Sequence, residues 1–244
     1  PVDDDVERRE NAAIEQAKTF LAERKDEIAA FIMEPIQGEG GDNHFRPEFF
    51  KAVRQLCDEN EMLLIFDEVQ TGVGLTGKMW GYQNYGIDPD LFSFGKKTQV
   101  CGFASNERIC DIEENVFTVP SRINSTWGGN LTDMVRSQRY FEIIDEEKLV
   151  DNAARVGAYF LGELQRFAGE FPSLVSNVRG RGLMAAFDLP SADVRNAAIK
   201  AMMQNDVMVL ASGHQSIRFR PPLNLSSDEA AEGIRRMEKA LKQL

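Results

Sequence analysis

The sequence predicts an α/β fold built on a mostly parallel sheet, followed by a smaller α+β piece at its C-terminal end. Two apolar runs, 29–34 and 62–66, flank a helical pattern opened by Pro47, and a strand–helix–strand unit of this kind carries parallel strands with a right-handed crossover. Beyond Pro172 the pattern changes to short paired strands set between helices. The expected division falls near residue 145, with 1–145 part of a larger domain and 146–244 a C-terminal small domain.

Each element has its own signal. Ala13, Ile14, Ala17, Phe20, Leu21 and Ile28 recur at helical spacing and predict a one-sided helix over 6–28. Residues 29–34 form a short apolar run stopped by Pro35, which predicts a strand buried on both faces, and a glycine-rich loop, Gly38-Glu39-Gly40-Gly41, follows. Pro47 sits where a first helical turn tolerates it, ahead of Phe49, Phe50, Val53, Leu56 and Cys57. Met62–Phe66 is the second buried strand, with shorter ones at 91–94 and near 100–105. Helices at about 130–146 and 148–169 lead to an antiparallel pair, 174–178 and 183–189, turning across 179–182. A helix at 191–205, strands at 207–211 and 217–219, and a closing helix from about Ser227 complete the chain.

Composition narrows the function classes. The 244 residues carry 28 basic and 39 acidic side chains, a net charge of −11 that repels phosphate backbones and anionic lipid, so nucleic-acid and membrane-surface roles are not expected. There is no apolar run of membrane-helix length, and Pro1–Glu10 lacks the pattern of a signal peptide, which gives a cytoplasmic expectation. Three cysteines without C-x-x-C spacing support neither a disulfide framework nor structural zinc. His44 and His214 stand apart, so no metal site and no Ser-His-Asp arrangement is expected. The chain opens at Pro1 in a charge run, as though entered partway through a longer sequence.

Chemistry concentrates where buried strands end. Asp67 and Glu68 close an apolar strand, the end at which open α/β sheets bind ligands. Gly72–Lys78 spells G-x-x-x-x-G-K, but Met79 replaces the hydroxyl that would hold magnesium and the loop follows the acidic strand, so a nucleotide site is set aside. A carboxylate pair that merely caps a strand stays open. Lys96 follows the short strand 91–94, and a lysine there with a carboxylate such as Asp67 is the pair a pyridoxal phosphate needs: an amine for its aldehyde and an anion for its ring nitrogen. By spacing alone Lys97 competes with Lys96, and both could be surface lysines.

Glu34-Pro35-Ile36-Gln37-Gly38-Glu39-Gly40-Gly41, Phe66-Asp67-Glu68-Val69-Gln70-Thr71-Gly72, Thr76-Gly77, Pro89-Asp90 and Gly95-Lys96 together resemble the class III pyridoxal-phosphate aminotransferases of fold type I. The resemblance covers essentially the whole chain and is ungapped from Asp67 to Lys96. Stretches 94–102, 124–130 and 217–223 are most similar to members that act on the ε-amino group of L-lysine. It implies pyridoxal 5'-phosphate as cofactor and transfer of that amino group to 2-oxoglutarate, giving glutamate and 2-aminoadipate 6-semialdehyde, in a homodimer whose active site is shared between subunits. Residue by residue it implies Lys96 as the Schiff-base lysine, Asp67 at the pyridinium, Val69 against the ring and Gln70 at the phenolic oxygen. Thr126 matches a ligand of the neighbouring subunit's cofactor phosphate, Arg218 the arginine for a substrate α-carboxylate, and Glu39 the glutamate that gates it. Ornithine or GABA as amino donor, or a silent association module, are the alternatives. Complete members are longer, and their phosphate cradle, ring-stacking aromatic and second substrate arginine have no counterpart before Pro1. The chain is therefore expected to be the later part of the large domain plus the small domain, and inactive alone.

Overall fold

The computed structural model describes residues 4–24, 27–124, 126 and 129–244. In chain order the elements are α1 (Asp4–Arg24), β1 (Ala30–Met33), β2 (Ile36–Gln37), β3 (Asn43–His44), α2 (Pro47–Glu59), β4 (Leu63–Asp67), β5 (Leu91–Phe94), β6 (Gly102–Ser105) and the one-turn α3 (Glu107–Cys110). Then follow α4 (Leu131–Glu146), α5 (Leu149–Glu170), β7 (Ser176–Arg181), β8 (Met184–Asp188), α6 (Ala192–Gln204), β9 (Leu210–Ser212), β10 (Ser216–Phe219) and α7 (Ser227–Leu241). They form two compact units. The first is Pro1–Pro35, Phe45–Gln70 and Tyr82–Phe141; the second is Ile36–His44, Thr71–Gly81 and Glu142–Leu244.

In the first unit β1, β4 and β5 run parallel, as the strand–helix–strand pattern requires, and β6 closes the sheet antiparallel to β5. Pro47 opens α2 at a position whose N–H would have no helical partner anyway. The stripe Phe49, Phe50, Val53, Leu56 and Cys57 then packs on Leu64 and Phe66 of β4, with Leu21 of α1 in the same core. β1 departs from expectation. Phe31 and Met33 face this core, but Ile32 is 66% exposed, so the strand is buried on one face only. Among the described residues β1 pairs only with β4, and its side chains alternate between a covered and an uncovered face.

The second unit is an antiparallel sheet in the order β7-β8-β10-β9 with α5, α6 and α7 packed around its core. Ala185, Phe187, Ile217 and Phe219 face the helices, where Phe160 and Phe167 of α5 meet Phe219 and Phe187 at ring separations of 5.3 and 6.0 Å. Sequence patterning put 179–182 in a turn, but β7 continues through Arg181. A bulge between Ser176 and Arg179, with Asn177 at φ 47, shifts the pairing, and the turn shrinks to Gly182 and Leu183. Gly182 sits at φ +58, where a Cβ would lie 2.4 Å from the carbonyl carbon of Thr76, and Leu183 N donates to Leu75 O at 2.9 Å. This close approach joins segment 71–81 to the unit.

Candidate active site

In the first unit the candidate residues gather at the C-terminal ends of β4 and β5. Asp67 is the last residue of β4 and pairs in register with Ser93 of β5. Its Oδ1 accepts from Val69 N at 3.0 Å and Ser93 Oγ at 3.2 Å, while Oδ2 has no hydrogen bond among the described residues. The carboxylate is thus oriented at one oxygen and open at the other. Glu68 has a different fate. It is buried, and its Oε1 accepts from Tyr82 N at 2.7 Å, so of the sequence pair it is the structural member.

Lys96 opens a single 3-10 turn directly after β5 with φ 52, and Gln99 closes it at φ 63. Left-handed backbone in a residue with a Cβ costs of order 1 kcal/mol and is held only where the surroundings fix it. The Lys96 side chain is exposed and makes no hydrogen bond or ion pair among the described residues. Lys97 instead donates from Nζ to Gln70 O at 2.6 Å. A Cβ at Gly95 would lie 3.6 Å from a Val69 methyl, so Val69 flanks the backbone that presents Lys96. Thr126 lies in an exposed turn; Ser125, Trp127 and Gly128 of its motif fall outside the described residues.

In the second unit the helix-free face of the sheet is cationic. Arg179 and Arg218 both pair with Ala186, so the three side chains point to one face across β7, β8 and β10. By the same alternation Arg181 joins them, and Arg220 follows β10 on the same side. Between β2 and β3, loop Gly38–Asp42 brings carboxylates to this face. Arg218 Nη1 is 2.7 Å from Glu39 Oε2 and Arg220 Nη2 is 2.6 Å from Asp42 Oδ1. Beyond that ion pair the Arg218 guanidinium is not fully satisfied: its Nε and Nη1 are buried without a hydrogen bond. Such N–H groups are costly to bury unless a ligand or water completes them.

Burial lifts the Asp42 carboxyl above its ordinary range, against the pull of Arg220. His44 is buried beside the same cations; burial first, then Arg179, Arg181 and Arg220, push its imidazole down to about 3, so it is neutral at physiological pH. The structure pairs Glu39 with Arg218, the two residues that the family resemblance singled out, and adds Ser93, Asp42, His44, Arg179 and Arg220, which the sequence reading did not place at a site. An arginine at every second position, 179/181 and 218/220, was the available signal for one cationic face.

The sequence pattern of the family described as aminotransferase class-III matches residues 1–241. The chain belongs to this family. Class III aminotransferases depend on pyridoxal 5'-phosphate. The chain is 52% identical over 232 residues to the L-lysine-epsilon aminotransferase of Mycobacterium bovis, covering 95% of this chain and 52% of that protein. It is 47% identical over 233 residues to the L-lysine-epsilon aminotransferase of Streptomyces clavuligerus, covering 95% and 51%. Its fold superposes on the lysine aminotransferase from M. tuberculosis in the internal aldimine form with a TM-score of 0.94 at 51% identity, over 96% of this chain and 54% of that one. The fold is therefore that of a fold type I aminotransferase, and the chain spans about half the length of the relatives it matches. No described helix is long and apolar enough to cross a membrane, and no described cluster of His, Cys, Asp and Glu could hold a metal.

Proposed function

We propose that this chain is part of a pyridoxal-phosphate-dependent lysine 6-aminotransferase, which moves the ε-amino group of L-lysine to 2-oxoglutarate and forms glutamate and 2-aminoadipate 6-semialdehyde. The observation that carries the reading is the pair Asp67 and Lys96 at the ends of adjacent parallel strands, one with an open carboxylate oxygen and the other with an unpartnered amine. The identity to lysine aminotransferases supports the choice of donor.

The residues present fit the cofactor. Asp67 offers an anionic Oδ2 on a carboxylate whose other oxygen is fixed by Val69 N and Ser93 Oγ, the arrangement needed to keep a ring nitrogen protonated. Lys96 Nζ is the amine for the aldehyde and, once released, the base that carries a proton between the two carbons of the transfer. Val69 would lie against the ring and Gln70 would donate to its phenolic oxygen. When bound, the cofactor supplies the electron sink for a carbanion at the carbon bearing the amino group.

Arg218 binds the α-carboxylate of glutamate or 2-oxoglutarate, for which a planar guanidinium is suited once Glu39 has turned away from it. L-Lysine reacting at its far end brings no carboxylate to that position, and Glu39 then neutralises Arg218 so that a buried cation does not face an apolar chain. A cytoplasmic homodimer with a shared active site, Thr126 reaching the partner's cofactor phosphate, belongs to the same reading. The test is amino-donor competition in the full-length protein loaded with pyridoxal phosphate. L-Lysine is expected to outcompete ornithine and GABA; preference for either of those would replace the substrate and keep the chemistry.

A further inference from the structure

Loop Gly38–Asp42, which carries Glu39, is fastened by groups with no part in the reaction. We propose that Arg179 is a positioning residue for the Glu39 gate, clamping the loop backbone so that Glu39 meets or leaves Arg218 by turning its side chain alone. The proposal rests on the reading of Glu39 and Arg218 given above.

Arg179 donates from Nε to Asp42 O at 2.8 Å and from Nη2 to Gly41 O and to Ser216 Oγ, the last at 2.9 Å. Its Nη1 donates to Asn177 O at 2.7 Å and lies 2.9 Å from Asp188 Oδ1. A guanidinium has five N–H donors, so these contacts leave Arg179 nothing to offer a substrate, in contrast to Arg218 on the same face. The loop's other end is tied as well: Ser212 Oγ donates to Gly38 O at 2.7 Å and Gly213 N to Glu39 O at 2.9 Å. Gly213 at φ +50 permits that contact, since a Cβ there would lie 2.8 Å from Gly41 Cα. The backbone on both sides of Glu39 is therefore bonded to the sheet, while its side chain is 76% exposed and has room to rotate. Movement of the whole loop would break all of these bonds together, whereas a side-chain rotation breaks only the ion pair to Arg218.

The experiment compares Arg179→Met, Arg179→Lys and Glu39→Ala in the full-length holoenzyme by single-turnover rates with lysine and with glutamate. Amide exchange at Gly41 and Asp42, whose N–H groups donate to Gly38 O, is followed in parallel. With the clamp released, Glu39 no longer covers Arg218. Arg179→Met is expected to slow the lysine half-reaction about tenfold relative to the glutamate one and to raise loop exchange at least tenfold. Arg179→Lys, which keeps the charge and loses the fork, should fall between and carries the test if the methionine variant does not fold. If Glu39→Ala changes both half-reactions equally, the gate reading fails. If Glu39→Ala is selective but the Arg179 variants lose both rates equally, or leave exchange unchanged, the positioning role is overturned.

Discussion

Lys96 and Lys97 put the same side chain in adjacent positions with different surroundings. Lys97 is tied to Gln70 O, while Lys96, held at positive φ, keeps an unpartnered amine. Lys96→Ala should abolish borohydride-trappable cofactor and turnover in the full-length protein, and Lys97→Ala should retain both; peptide mapping that finds the label on Lys97 reverses the assignment. Asp67→Asn should still bind cofactor but slow proton abstraction, each ~1.4 kcal/mol of lost charge stabilisation amounting to about tenfold, and an unchanged single-turnover rate with lysine would leave Asp67 a strand cap. The position of Asp67 at the end of β4 was readable because a carboxylate ending an apolar strand is a local pattern. Ser93, which orients it, was not, because only strand register brings residues 67 and 93 side by side.

His44 gives a pH prediction of known sign. The unfolded chain takes up a proton near pH 6.5 and the folded one only near 3, so its contribution is complete above pH 6.5 and is lost as pH falls, at about 1.4 kcal/mol per pH unit at most. Denaturant unfolding of the wild-type protein and of His44→Gln between pH 7 and 5 checks this. The variant should show the shallower loss of stability, and parallel curves would mean that His44 is protonated in the fold.

For the elements, alternation and capping residues were enough wherever a helix or strand acts through its own sequence. α2 follows from Pro47 and its apolar stripe; α7 begins about where the pattern predicts, and the structure adds a capping box between Ser226 and Glu229 at its start. Patterning failed where neighbours decide. Arg179 to Arg181 belong to β7 because a bulge upstream resets the pairing. Asp90 shows how much one residue can do between elements. Its Oδ2 accepts from Leu64 N at 2.7 Å, Arg54 Nη1 at 3.0 Å and Arg108 Nη1 at 3.3 Å, joining α2, β4 and the segment after β6. Burial alone would raise its carboxyl, but the Leu64 N–H and Arg54 outweigh it and hold the group below the usual range. Asp90→Asn leaves two arginines facing a neutral amide and should destabilise the first unit by about 3 kcal/mol, read from denaturant midpoints. A loss under about 1 kcal/mol would make the contact peripheral.

At the scale of the molecule, family membership was carried by short motifs in a fixed order. What a linear reading could not supply is that segments 36–44 and 71–81 pack with the C-terminal part. That is a property of long-range hydrogen bonds such as Leu183 N to Leu75 O and Arg179 Nε to Asp42 O. The chain spans about half of its relatives' length. The central claim is that the amino group leaving lysine is the ε one. Full-length protein loaded with pyridoxal phosphate is given 2-oxoglutarate and lysine carrying nitrogen-15 at either the ε or the α position, and the glutamate formed is weighed. The account predicts heavy glutamate from the ε-labelled lysine and unlabelled glutamate from the α-labelled one; label arriving from the α position, or from neither while ornithine or GABA delivers it, would contradict it.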